Sequence, residues 1–194
     1  MLDTHARKYV EPIIDFGAKF FEKLGFTPNQ VTLIAFIIGI VSGPIIYFGY
    51  DLIGILFLWI SGYLDAVDGA LARKLNKTSE FGTVMDIVFD RLVEISLIIS
   101  LSFLDLKYMW AYLILSCSII VSMTVFLTVG AVSKKSGKKS FYYQAGLGER
   151  TEGFILFTLI VLIHQFRLEL ILIFASVVLF TACQRMLEAK KILK

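Results

Sequence analysis

DAVDGALARKLNKTSEFGTVMDIVFD, residues 65–90, is the stretch on which the fold turns. It places Asp65, Asp68, Arg73, Asp86 and Asp90 between two long apolar runs, in a chain whose other charges mostly lie between such runs. On a helix Asp65 and Asp68 lie about one turn apart, and so do Asp86 and Asp90. The polar segment 74–81 has the length to fold a second helix back beside the first. Four carboxylates then converge at one end of a helical hairpin. Carboxylates held together repel unless a cation joins them, and hard divalent ions take oxygen ligands of this kind. The stretch therefore points to a magnesium or manganese site of one or two ions, with Arg73 holding a phosphate. Gly69 and Ala72 share the helical face of Asp65 and Asp68, and Gly82 lies one turn before Asp86. Small residues there leave room for a ligand against the backbone.

Outward from this hairpin the chain is apolar. Its 194 residues are 57% hydrophobic with a mean hydropathy of +0.78, too high for an ordinary soluble domain. The class is all-α: a six-transmembrane-helix bundle preceded by an amphipathic interfacial helix. Residues 1–30 form the juxtamembrane helix and entry turn, and 31–194 a single catalytic domain. Along residues 3–24, Tyr9, Val10, Ile13, Phe16, Phe20 and Leu24 recur near helical spacing, with Arg7, Lys8, Glu11, Lys19 and Glu22 on the other side. Such a helix lies flat with its aromatic face in lipid, or packs only on the protein's own surface. Pro28 and Asn29 suit a helix start. Six apolar segments follow, at about 31–49, 52–73, 82–104, 108–132, 153–165 with some flanking residues, and 168–187. The fifth is short for a hydrocarbon core of roughly 30 Å and must include polar residues such as Glu152. Gly39 and Gly43 suit close helix packing, and Pro44 a kink.

Basic residues set the topology. Arg7, Lys8, Lys19, Lys23, Arg73, Lys74, Lys77, Lys134, Lys135, Lys138, Lys139, Arg150, Arg185, Lys190, Lys191 and Lys194 fall on one side, against Lys107 and Arg167 on the other. The positive-inside rule puts both termini and the aspartate hairpin in the cytoplasm, in a multi-pass protein of the cell membrane. Cys117 and Cys183 lie inside apolar runs without metal-type spacing and read as reduced core residues. Asp3, Glu11 and Asp15 interrupt any signal-peptide core. His5 and His164 have no neighbour at ligand spacing, Arg91 and Glu94 suit an ion pair three residues apart, and no nucleic-acid motif appears.

The spacing D-x2-D-G-x2-A-R-x8-G-x3-D-x3-D, matched at all eight specified positions, resembles the signature of the CDP-alcohol phosphatidyltransferases, membrane transferases of phospholipid biosynthesis. The likeness extends to the six-helix layout, the amphipathic helix and the entry Thr27-Pro28-Asn29-Gln30-Val31-Thr32. It implies that Asp65, Asp68 and Asp86 bind Mg2+ or Mn2+, and that Asp90 faces the metal centre and serves as general base. It implies that Asp68, Gly69, Ala72, Arg73 and Gly82 line the pocket for a CDP-linked lipid such as CDP-diacylglycerol. It implies a homodimer. The activity expected is transfer of a phosphatidyl-type group to the hydroxyl of a small polar alcohol, with release of CMP.

A phosphorylated acceptor needs a second cationic pocket, for which Arg150, Lys134, Lys135 and Arg185 are candidates, with Arg91 in the third segment. The lysines also serve the positive-inside rule and anionic headgroups. The run 146–152 around Arg150 is similar to the inositol-phosphate-using branch of the family. Residues 33–36, Leu-Ile-Ala-Phe, stand where the glycerol-phosphate branch usually has an arginine. Inositol phosphate is the leading acceptor; glycerol 3-phosphate, serine and other neutral alcohols remain. Two other classes compete. A divalent-cation transporter requires acids spread through the membrane depth, whereas Asp51, Asp105 and Glu169 on the far side lie only at loops. An intramembrane prenyltransferase has a longer chain and two separate aspartate-rich segments.

Overall fold

The computed structural model of the chain describes residues 7–133 and 150–193, all of it helix and short connections. Seven α-helices are described: α1 (Arg7–Lys23), α2 (Pro28–Tyr47), α3 (Asp51–Lys74), α4 (Glu80–Leu104), α5 (Met109–Val132), α6 (Arg150–Leu162) and α7 (Arg167–Ile192). Single 3-10 turns at Leu106–Tyr108 and His164–Phe166 precede α5 and α7. Among the described residues, four stretches are long and apolar enough to cross a membrane: Pro28–Tyr47, Asp51–Lys74, Leu106–Val132 and His164–Ile192. The other two expected spans differ for separate reasons. Helix α4 has 25 residues but carries Asp86, Asp90, Arg91 and Glu94. Helix α6 has 13 residues, a length of about 20 Å.

The helices fall into two compact units. In the first, α1 to α4, a capping box starts α2: Gln30 N–H donates to the Thr27 hydroxyl, and Thr27 N–H to the Gln30 carboxamide at 2.8 Å. Pro28 fills the first turn, where no N–H is required. From there α2 presents small residues to both neighbours. A Cβ added at Gly43 would lie 2.6 Å from the Ser96 carbonyl of α4, so the two backbones touch. The Ser61 hydroxyl donates to the Ala35 carbonyl and Ser96 to that of Ile40, each at 2.7 Å, joining α3 and α4 to α2. Helix α1 packs on α3 through Ile14, Ala18 and Phe21, which join a core of Val31, Val67, Ala70 and Leu71. The Tyr63 hydroxyl donates to the Ile13 carbonyl at 2.9 Å, and Lys74 pairs with Glu22. Val10, Ile13, Phe16, Phe20 and Leu24 of α1 stay exposed, Phe16 to 72%.

The second unit holds α5 to α7. Leu115, Phe157, Ile160 and Ile171 are fully enclosed, and Phe157 meets Phe174 edge to face at 5.1 Å. Arg167 is 7% exposed: its guanidinium pairs with Asp105 and its Nε donates to the Ile160 carbonyl at 3.0 Å. Cys117 and Cys183 are free but exposed, which corrects the expectation that they lie in the core. An apolar run does not say which of its faces turns inward, because a membrane helix is apolar on its lipid side as well.

Candidate active site

The eight residues between Arg73 and Gly82 are a helix stop, a turn and a helix start. Helix α3 closes with Lys77 N–H on the Ala72 carbonyl at 2.9 Å, while Asn76 adopts the left-handed conformation with φ 53°. Asparagine tolerates that region better than most residues. Ser79 then starts α4, its hydroxyl accepting from Gly82 N–H at 3.0 Å. This turn leads from α3 to α4, which pack on α2 rather than closely on each other. Carboxylate oxygens of Asp65 and Asp68 on α3 and Asp86 on α4 all lie within 4.8 Å of one another.

The donor set fits a hard divalent cation. Three acid oxygens converge, two of the acids are half-buried and Asp68 is buried. The Thr32 hydroxyl and the Gly69 amide lie against the Asp68 carboxylate, yet its Oδ2 has no hydrogen-bond partner. A buried carboxylate oxygen without a partner, facing two like charges, is costly until a cation supplies the missing interaction. Asp90 is not one of the three converging acids. It sits one turn, about 5.4 Å, further along α4 from Asp86. Asp86 and Asp68 still act on it electrostatically, and it is half-buried. Glu94 lies a further turn along and is buried, with Arg91 at 2.5 Å.

Gly69 leaves an open surface beside these acids, and Gly82 lets Ser79 and Asn29 come close. A Cβ at Gly69 would meet nothing within 4 Å except Nη1 of Arg73, at 3.4 Å, so the exposed arginine reaches back one turn along α3. Ala72 is half-buried on the same helix. A Cβ at Gly82 would come within 3.0 Å of the Ser79 hydroxyl and 3.3 Å of Oδ1 of Asn29. Asn29 and Thr32 thus join the site from the first turns of α2. The sequence reading gave them only a helix start; their three-residue spacing, which sets both on one face, was the available signal.

The acceptor candidates that are described belong to the second unit. Arg150 opens α6 with its guanidinium 5.4 Å from the centre of the Phe154 ring. Arg185 on α7 is 7% exposed; its Nη1 donates to the Ser122 hydroxyl at 3.4 Å, and its guanidinium lies 4.8 Å from the Phe126 ring centre. Lys134 and Lys135 fall outside the described residues, as do Lys138, Lys139 and His5.

Residues 26–182 match the family model described as CDP-alcohol phosphatidyltransferase. The sequence is 31% identical over 192 residues to an archaetidylinositol phosphate synthase of Pyrococcus horikoshii, covering 98% of this chain and 97% of that one. It is 31% identical over 170 residues to the inner membrane protein YnjF of Escherichia coli, covering 82% and 81%. Among solved structures, the phosphatidylinositol phosphate synthase of Mycobacterium tuberculosis with CDP-DAG bound superposes with a TM-score of 0.73. That match covers 89% of this chain and 90% of the other at 21% identity. The same enzyme has been solved in complex with manganese and citrate.

Proposed function

This chain belongs to the CDP-alcohol phosphatidyltransferase family, and from that premise we propose that it transfers a phosphatidyl-type group from a CDP-linked lipid to a phosphorylated polyol, inositol phosphate first among them. It is an integral membrane transferase. The observation that carries the chemistry is the meeting of Asp65, Asp68 and Asp86 within 4.8 Å on two adjoining helices. These three acids would hold Mg2+ or Mn2+, with Asp90 facing the same centre. A bound divalent ion neutralises diphosphate oxygens and stabilises the departing CMP.

The chain's own residues do the rest. Arg73 offers a planar donor fork to the diphosphate, and the bare backbone at Gly69 and Gly82, with Ala72, admits the nucleotide. Asp68 serves both metal and lipid. Asp90 takes the proton from the acceptor hydroxyl. That oxygen forms a bond to the lipid-side phosphorus in line, as the phosphorus–oxygen bond to CMP breaks. Arg150 and Arg185 take the acceptor's own phosphate, with Lys134 and Lys135. The relatives named as inositol phosphate synthases support that acceptor, and so does the absence of an arginine among Leu33, Ile34, Ala35 and Phe36.

The membrane arrangement belongs to the same reading. Helices α2 to α7 all cross the bilayer as one domain from residue 31 to 194, and α1 rests in the interface on its exposed aromatic face. The termini and the aspartates face the cytoplasm, and the chain works as a homodimer. For the function, purified protein is incubated with CDP-diacylglycerol, Mn2+ and a panel of inositol phosphate, glycerol 3-phosphate and serine, and CMP and lipid product are followed. Release of CMP that depends on inositol phosphate and stops on chelation is the expected result. Turnover with serine alone would overturn the acceptor.

A further inference from the structure

We infer that Tyr63 of α3 and Gly17 of α1 are positioning residues for Asp65 and Asp68, an inference that rests on the cation site of the function proposed above. Along α3 two stripes run at helical spacing. Gly54, Ser61, Asp65, Asp68 and Ala72 form one, and Tyr63, Val67, Ala70 and Lys74 the other. At about 100° per residue they lie on opposite sides of the helix, roughly 160° apart. The first stripe begins against α2: a Cβ at Gly54 would lie 2.9 Å from the Ser42 carbonyl, and Ser61 donates to that of Ala35. It ends in the acids. The second stripe is the one α1 grips, so α1 holds from behind the turns of α3 that present Asp65 and Asp68 in front.

The grip is close and directional. Gly17 and Ala18 of α1 are buried, and a Cβ at Gly17 would strike the Tyr63 hydroxyl and come within 2.8 Å of a Val67 methyl. That hydroxyl donates to the Ile13 carbonyl at 2.9 Å, the carbonyl to which a helix also directs the N–H of residue 17. A carbonyl oxygen has a second lone pair, and Tyr63 takes it. Lys74 meets Glu22 further along, an exposed pair that adds little energy. Apolar packing alone lets a helix roll, whereas a hydrogen bond has a required direction and a bare glycine admits the ring in one place. Tyr63 lies two residues before Asp65, and Val67 one before Asp68, so a roll of α3 moves both acids relative to Asp86 on α4. A roll of about 20° carries a carboxylate some 5–6 Å from the helix axis through about 2 Å. Metal–ligand distances tolerate only about 0.2 Å.

The test reads Mn2+ binding by the folded protein apart from turnover. In detergent micelles the Kd for Mn2+, taken from the spin-resonance signal of the free ion, should rise about three- to ten-fold in Tyr63→Phe, the scale of one hydrogen bond. In Gly17→Leu it should rise about ten-fold or more, as metal sites do when the groups behind their ligands are disturbed. Turnover at limiting Mn2+ should fall in step, and kcat at saturating Mn2+ should return to within about two-fold of wild type. Arg167→Met, which destabilises the other unit, should lower the melting temperature and leave the Kd alone. A lower melting temperature with unchanged Kd in Tyr63→Phe, or a Kd that rises equally in Arg167→Met, would overturn the inference. Wild-type protein that binds Mn2+ yet releases no CMP from CDP-diacylglycerol would remove the proposed function alone, because the Kd still decides the role of Tyr63. Wild-type protein that binds no Mn2+ would overturn both.

Discussion

Asp68 and Asp90 stand on two successive helices, and the proposed mechanism gives them different work. Asp68 is buried, with one oxygen lacking a hydrogen-bond partner, and shares a 4.8 Å cluster with Asp65 and Asp86. Asp90 stands a turn away. Asp90→Asn keeps the shape and removes the proposed base, so kcat should fall by about 100- to 10,000-fold while CDP-lipid affinity changes little. Single-turnover CMP release beside a CDP-lipid binding titration checks this; equal losses in both would make Asp90 a binding residue. Asp68→Ala removes an arm of the cluster. Mn2+ at about 100 times its Kd should stabilise the wild type by about 2.7 kcal/mol, and the variant should show no such gain. Thermal unfolding with and without Mn2+ reads it directly. At this scale the sequence was most legible, because such a site tolerates few residue types at few spacings, and the motif displays them. Asn29 and Thr32 were not legible, since a polar residue in a helix's first turn serves capping equally well. Only the folded chain sets Asn29 against Gly82 and Thr32 against Asp68.

At the scale of elements, helix contacts carry the aspartates into place. Gly43 of α2 touches the backbone of Ser96 on α4, the helix that bears Asp86 and Asp90. Gly43→Leu must push α4 away, costing about 1–3 kcal/mol as overpacking does. Because α4 moves as a body, turnover should fall with stability even though residue 43 lies 22 residues along the chain from Asp65, the nearest acid of the site. A variant with lowered stability and wild-type kcat would uncouple the two. The second unit has a different fastening in the buried pair of Arg167 and Asp105. Arg167→Met alone strands Asp105 and should cost about 3 kcal/mol. Adding Asp105→Asn should recover most of that, and denaturant unfolding in detergent micelles measures both. Most helices were foreseeable from their apolar runs. The fifth was placed at 153–165 with flanking residues such as Glu152; α6 runs Arg150–Leu162, so only its end differs, where the chain turns at His164–Phe166. Hydropathy continues through Leu162 and Ile163 without marking that turn, and nothing local announces that Arg167 will find Asp105, 62 residues away in the chain.

For the whole molecule the open matter is which way it faces, and the structure changes how the charges are weighed. Lys107 and Arg167 were the two basic residues set against the positive-inside reading. With Arg167 buried and paired, Lys107 remains the exposed one of the two, its amine 4.5 Å from the ring centre of Tyr108. The other side keeps Lys23, Arg73, Lys74 and Lys77 beside the aspartate turn. Orientation follows the excess of basic residues in short loops, so the reduced opposing charge accords with the cytoplasmic side proposed for Asp65 to Asp90. That placement also suits the chemistry, since a water-soluble nucleotide leaves where the cytosol can take it. Single cysteines test it in a Cys117→Ser, Cys183→Ser background, needed because both native thiols are exposed. A membrane-impermeant maleimide should label Lys107→Cys in intact cells and Lys77→Cys only after lysis. The reverse pattern would place the acids outside and sink the topology. Labelling of both positions in intact cells would mean that α3 and α4 do not each cross the bilayer, and the six-span reading would go with it.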